Sequence, residues 1–168
     1  MAIIGLDHFT DINGTQILSH IPDVGSNWVR YGGAPPSAAV SIWSNQLAYN
    51  EGIAPPDIPS IYYLNTALIE DCSVQAKYLN DTGLVVALLA RIGLGFIFLG
   101  PVAHGTWFLS DGTNMQTFSF SFIPNLIVKL VVQGSIATAF MNGVQKAQIT
   151  TNIVSPGNFG IFIFSQGV

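Results

Sequence analysis

Residues 126 to 150 read LIVKLVVQGSIATAFMNGVQKAQIT, three short strand-like runs separated by Gln133-Gly134-Ser135 and by Asn142-Gly143. Asn and Gly readily take the positive φ that a two-residue hairpin turn demands, so Asn142-Gly143 between alternating runs predicts a tight hairpin. Along Ile136 to Met141, Ile136, Thr138 and Phe140 point one way and Ala137, Ala139 and Met141 the other, and the pattern begins again in Val144 to Ile149. The chain meanders here, with one face built to be buried.

The same grammar extends outward in both directions. Short apolar or alternating runs bounded by turn formers recur, and helical periodicity is scarce. The expected strands are Ile3 to Phe9, Trp28 to Tyr31, Ala38 to Ser44, Gln46 to Tyr49, Ile69 to Leu79, Leu84 to Ile92, Gly95 to Leu99, Thr106 to Ser110, Gln116 to Phe122, the meander itself, and Asn158 to Phe164. Asn80-Asp81-Thr82-Gly83 and Asp111-Gly112-Thr113-Asn114 read as turns, because Asp, Asn and Gly supply local hydrogen bonds and left-handed conformations. Gly52 to Pro59 and Gly32-Gly33-Ala34-Pro35-Pro36 are proline-rich and read as loops, since proline strips donors from a ladder. Many short antiparallel strands within 168 residues imply an all-β fold of two packed sheets, a β-sandwich or jelly roll, forming one domain over residues 1–168.

Charged residues make up 8% of the chain, against an average near 25% in globular proteins, while 49% are hydrophobic. A surface so poor in charge suggests cover by another subunit, and a homo-oligomer is expected. Net charge is −4, and the five basic residues, Arg30, Lys77, Arg91, Lys129 and Lys146, are scattered. They form no cationic stripe for phosphates, so nucleic acid is an unsuitable partner. The single cysteine, Cys72, permits no intrachain disulfide and reads as a small buried hydrophobe. The opening MAIIGLDHF lacks the basic and long apolar regions of a signal peptide, so synthesis in the cytoplasm is expected. Leu84 to Ala103 has the length of a membrane span, but Arg91 near its centre and Gly93, Gly95, Gly100 and Pro101 divide it into strand-sized pieces. Two buried strands, and no membrane, are the expectation.

Two blocks carry a family likeness. The first runs from Asp7, Phe9, Thr10, Asp11, Asn13, Gly14 and Thr15 through His20, Pro22, Asp23 and Gly25 to Trp28. The second comprises Val128 to Val132, the Gly134 turn, Asn142-Gly143-Val144 and Pro156-Gly157-Asn158-Phe159-Gly160-Ile161. Together they resemble the first and last strands of concanavalin A-like, laminin-G-like jelly-roll domains. The resemblance implies that the terminal strands pair, Ile3 to Phe9 near Asn158 to Phe164, and that Trp28 is a core residue. It also implies a setting, because modules with this opening are common in phage virions and on bacterial surfaces, where they bind glycans or pack against other structural subunits.

Catalytic chemistry finds little purchase. Glucanases of this group place two carboxylates across the scissile bond, usually from an E-x-D-x-x-E or E-x-D-x-E run on one strand face. The only glutamates are Glu51, beside a proline-rich loop, and Glu70, whose neighbour Asp71 would point to the opposite face of a strand. His8, His20 and His104 show no metal-ligand spacing and read as structural, with His20 fixing the loop into the first sheet. No nucleophile elbow is present. Calcium, frequent at the rim of laminin-G-like relatives, could find oxygens at Asp111-Gly112-Thr113-Asn114 or, more weakly, at Asp81, although a plain hairpin turn explains the former equally well.

The expectation is a non-enzymatic virion structural protein, a capsid decoration or cement subunit packing against the major capsid protein or other virion subunits as a homo-oligomer, with a trimer favoured. The alternative is a glycan-binding module of a tail fibre or adhesin. Ile61, Tyr62 and Tyr63, beside the proline-rich loop, are the candidate subunit interface. Trp43, Tyr49 and Trp107 are candidate sugar contacts, since sugar C–H faces stack on rings, with core packing as the competing role.

Overall fold

The computed structural model describes residues 8, 10–12, 15–31, 40–43, 46–49, 60–79, 84–103 and 105–165. The strand expected at Ile3 to Phe9 lies outside these apart from His8, as do both proline-rich loops, the turn containing Asp81, Glu51 and His104.

Two antiparallel sheets pack face to face. The larger holds, in spatial order, β10 (Met115–Ser119), β9 (Thr106–Ser110), β8 (Ile97–Ala103), β7 (Leu84–Ile92), β14 (Asn158–Ser165), β5 (Ser60–Leu64) and β2 (Trp28–Tyr31). The smaller runs β13 (Val144–Thr150), β12 (Ile136–Met141), β11 (Leu126–Gln133) and β6 (Cys72–Tyr78). A minor sheet joins β1 (Thr15–Gln16), β3 (Val40–Trp43) and β4 (Gln46–Tyr49), and one 3-10 turn covers Ile17–Ser19. The all-β jelly-roll expectation holds.

The meander is the centre of the smaller sheet. Asn142 (φ 48°) and Gly143 (φ 79°) both adopt positive φ, the requirement of a type I′ hairpin. Asn142 does more than turn. Its side-chain Oδ1 accepts the Ile127 amide at 2.8 Å while its own amide donates to Ile127 O at 2.8 Å, fastening the β12–β13 turn to the start of β11. Register then puts Ala137, Ala139 and Met141 opposite Val132, Leu130 and Val128, all at most 1% exposed. These meet Trp28, Tyr62, Leu88, Leu99, Trp107, Leu109 and Ile161 from the larger sheet in one core. Trp28 is 7% exposed, as the resemblance implied. The edges also touch. Gln116 Oε1 on β10 accepts the Gln148 amide of β13 at 2.8 Å, closing one side of the sandwich.

Three expectations need correction. β14 lies between β7 and β5 and pairs with both over Gly160–Ile163, so that stretch has no edge for the N-terminal segment. Gly160 makes the close passage possible, since a Cβ there would sit 2.0 Å from Tyr62 O. β8 does not stop before Gly100-Pro101 but continues to Ala103, because Pro101 sits beside a register shift where its missing N–H removes little. Residues 60–64 form a strand near the large sheet's edge, not a loop-borne docking segment.

Candidate functional site

The larger sheet is apolar on both faces. Alternation directs Tyr62 and Leu64 of β5, Leu88 and Ala90 of β7, Ile97 and Leu99 of β8, and Trp107 and Leu109 of β9 into the sandwich. Their alternates Ile61, Tyr63, Ala87, Leu89, Phe98 and Phe108, together with Phe162 of β14, form a second cluster on the outer face. Phe98 is anchored there by the absence of side chains beneath it: a Cβ on Gly100 would lie 2.4 Å from Ala87 Cβ and 2.9 Å from Phe98 Cζ. Phe108 stacks on Phe98 with centroids 4.7 Å apart and planes 19° from parallel, and Phe162 meets Phe98 edge-on at 5.8 Å. The result is a set of rings on β9, β8, β14 and β5, interrupted at β7 by Ala87 and Leu89, with Phe108, Phe162 and Tyr63 half-buried. Such a surface offers ring faces and little charge.

The residues singled out from sequence distribute differently. Tyr62 is 1% exposed and belongs to the core, so it cannot serve a subunit interface; Ile61 and Tyr63 are half-buried on the outer face. Trp107, at 2% exposed, packs edge-on to Tyr78 at 5.9 Å and donates Nε1–H to Phe120 O at 3.1 Å. Its ring has no open face, which removes it as a sugar contact. Trp43 and Tyr49 lie on β3 and β4, whose side chains are outside the described residues.

The Asp111 turn is built for amides rather than a cation. Oδ1 accepts the Thr113 and Asn114 amides at 2.9 and 2.6 Å, and Oδ2 accepts the Asn152 amide at 3.0 Å. Burial raises the Asp111 pKa, but the amides of Asn114, Asn152 and Thr113 and the Thr151 side chain outweigh it and hold the carboxyl well below the usual range. A calcium ion would face these N–H dipoles, so the hairpin-turn reading replaces the calcium one at this loop.

The opening block of the resemblance resolves into two nested pairs. His20, 3% exposed, brings Nδ1 to 3.2 Å from Asp11 Oδ2, while His8 places its amide and Nδ1 at 2.8 and 3.1 Å from Asp23 Oδ2. The Ile12 amide first and the His20 ring second depress the Asp11 pKa, and the His8 amide does so for Asp23. His20 thus ties together the segments entering β2. Cys72, 6% exposed, is pushed up by burial, with Arg91 opposing, which suits a packing residue.

Sequence reasoning missed Arg91 as a structural centre. It is 2% exposed, has φ 53°, donates Nε–H to Glu70 O at 2.7 Å and Nη1–H to Ile153 O at 2.6 Å, and pairs with Asp71 at 3.6 Å. Its only signal was a lone charge inside an apolar run.

No protein-family model matches the sequence, and no curated protein sequence matches it. Solved structures do. The carbohydrate-binding module CBM66 from Bacillus subtilis superposes with a TM-score of 0.63 at 13% identity, covering 84% of this chain and 89% of that one. The chain has the concanavalin A-like jelly-roll fold. A β-1,3-1,4-glucanase (lichenase) derived from a mouse hindgut metagenome gives 0.60 at 12% identity over 84% and 81% of the two chains, and the Bacillus licheniformis β-glucanase 0.58 at 12% over 96% and 85%. This concanavalin A-like sandwich therefore shares its architecture with binding modules and hydrolases alike, and its own residues must distinguish them.

Proposed function

We propose that the protein is a non-catalytic glycan-binding sandwich whose ligand lies across the outer face of the larger sheet. The half-buried rings of Phe108, Phe162 and Tyr63, with Phe98 buried beneath them as support, carry this reading, because pyranose C–H faces stack on rings. Carbohydrate-binding module CBM66 lends support through its shared fold. The non-catalytic reading draws support from where the described acids sit. Among the described residues, Asp71 is engaged by Arg91 and the Gly134 amide and Asp111 is saturated by amides, which disfavours either as one of two carboxylates facing each other across a bound sugar. A glycan array followed by titration calorimetry on wild type and Phe108→Ala tests this: selective binding that Phe108→Ala abolishes supports the reading, and an array without hits refutes it.

A second reading, a packing subunit of a virion such as a capsid decoration protein, draws on different residues. Leu68, Leu94 and Val154 are 64%, 112% and 57% exposed near the end of the sandwich where Arg91 binds Glu70 and Ile153. An apolar tip on a protein with 8% charged residues fits burial against another subunit. Sedimentation would show a multimer that Leu94→Asp dissociates, and co-purification with intact particles would establish the setting.

A further inference from the structure

We propose that the outer face of the smaller sheet is a second ligand surface, selective for acidic polysaccharide. The register of β6, β11, β12 and β13 places Gln75, Lys129, Phe140 and Gln145 in one row across all four strands. Lys77 lies opposite Ile127 on the same face, and Gln148 follows in the next row, where its Nε2 donates to Thr138 Oγ1 at 3.1 Å and is thereby held in place. Gln75, Lys77, Gln145 and Gln148 are exposed, with Lys129 and the Phe140 ring half-exposed.

Charge identifies the occupant. Two of the five cations of a protein with net charge −4 stand on this face, and among the described residues no carboxylate shares it. Asp71, which precedes β6, is held by Arg91 and the Gly134 amide. Two copies meeting face to face would confront lysine with lysine, so a second copy of this chain is disfavoured. A polyuronate satisfies every group present: its carboxylates answer Lys129 and Lys77, its hydroxyls bond the glutamine amides as donors and acceptors, and a sugar face rests on Phe140. An acidic polypeptide would use the lysines but gain little from the ring and the amide row. This surface is on the opposite side of the sandwich from the aromatic row and stands independently of it.

The test is binding of the full chain to oligogalacturonate, with poly-L-glutamate and a neutral β-glucan as comparators. Expected is salt-sensitive oligogalacturonate binding, weakened roughly tenfold in Lys129→Gln and in Phe140→Leu and unchanged in Phe108→Ala. Phe140→Leu keeps an apolar side chain while removing the ring, and unchanged melting of each variant guards against misfolding. No binding by wild type, or binding indifferent to Lys129→Gln, overturns the proposal. Equal binding of poly-L-glutamate that ignores Phe140→Leu overturns it in favour of an acidic polypeptide.

Discussion

Arg91 Nη2 lies 3.6 Å from Asp71 Oδ1, and the same carboxylate oxygen accepts the Gly134 amide at 2.7 Å, so one ion pair connects the end of β7 in the larger sheet to the β11–β12 turn in the smaller. The two partners are unequal, Arg91 being 1% exposed in its side chain and Asp71 53%. Replacing Arg91 by Met should cost about 1 to 3 kcal/mol for each of the Glu70 and Ile153 carbonyls left without a donor. Asp71→Asn, at the solvated end, should cost about 1 kcal/mol or less. Urea unfolding of the two variants reads the asymmetry; equal losses would mean that the pair, not the carbonyl clamp, matters.

Asp111 predicts an acid-side loss of stability. Its folded pKa lies below its unfolded value near 4, so the unfolded chain binds the extra proton first and stability rises with pH in that window. The contribution is complete above the unfolded pKa and disappears as pH falls toward the folded one. Asp111→Asn should flatten the melting curve against pH below about 4 and lower stability at pH 7 by roughly 1.5 to 3 kcal/mol, the scale of hydrogen bonds to a charged group. An unaltered acid slope would remove Asp111 as its source.

Trp28, at 7% exposed, should tolerate truncation poorly. Trp28→Ala is expected to cost about 3 to 5 kcal/mol through the cavity it leaves. Unchanged thermal stability would contradict its place in the core.

The Asn142 side chain earns its identity through Ile127 rather than through turn geometry alone. Asn142→Gly retains positive φ yet loses the 2.8 Å bond from the Ile127 amide, so a loss of about 1 kcal/mol is expected, against near neutrality if Asn served only as a turn former. Chemical denaturation discriminates the two.

Much of the fold was legible because its signals are local. Asn142-Gly143 and the alternation of Ile136 to Met141 specify a hairpin whatever surrounds them. β5 was hidden for the opposite reason: Ile61, Tyr62, Tyr63 and Leu64 are all apolar because the strand carries apolar neighbours on both faces, so no period of two is visible and the preceding prolines suggest a loop. The placement of β14 between β5 and β7 depends on pairings about 70 to 100 residues away in sequence, which no local pattern encodes. The aromatic row suffered both problems, since Phe98, Phe108 and Phe162 come from three strands and each reads in isolation as core. Trp107, the more conspicuous ring, points the other way because alternation assigns it to the face opposite Phe108.

The most direct measurement is glycan binding by wild type beside Phe108→Ala, with both melting curves recorded. Selective binding by wild type and its loss in the variant while the fold persists are expected, because Phe108 is the half-exposed partner of the Phe98 stack. Retained binding by a folded Phe108→Ala, or no glycan bound by wild type, would contradict it.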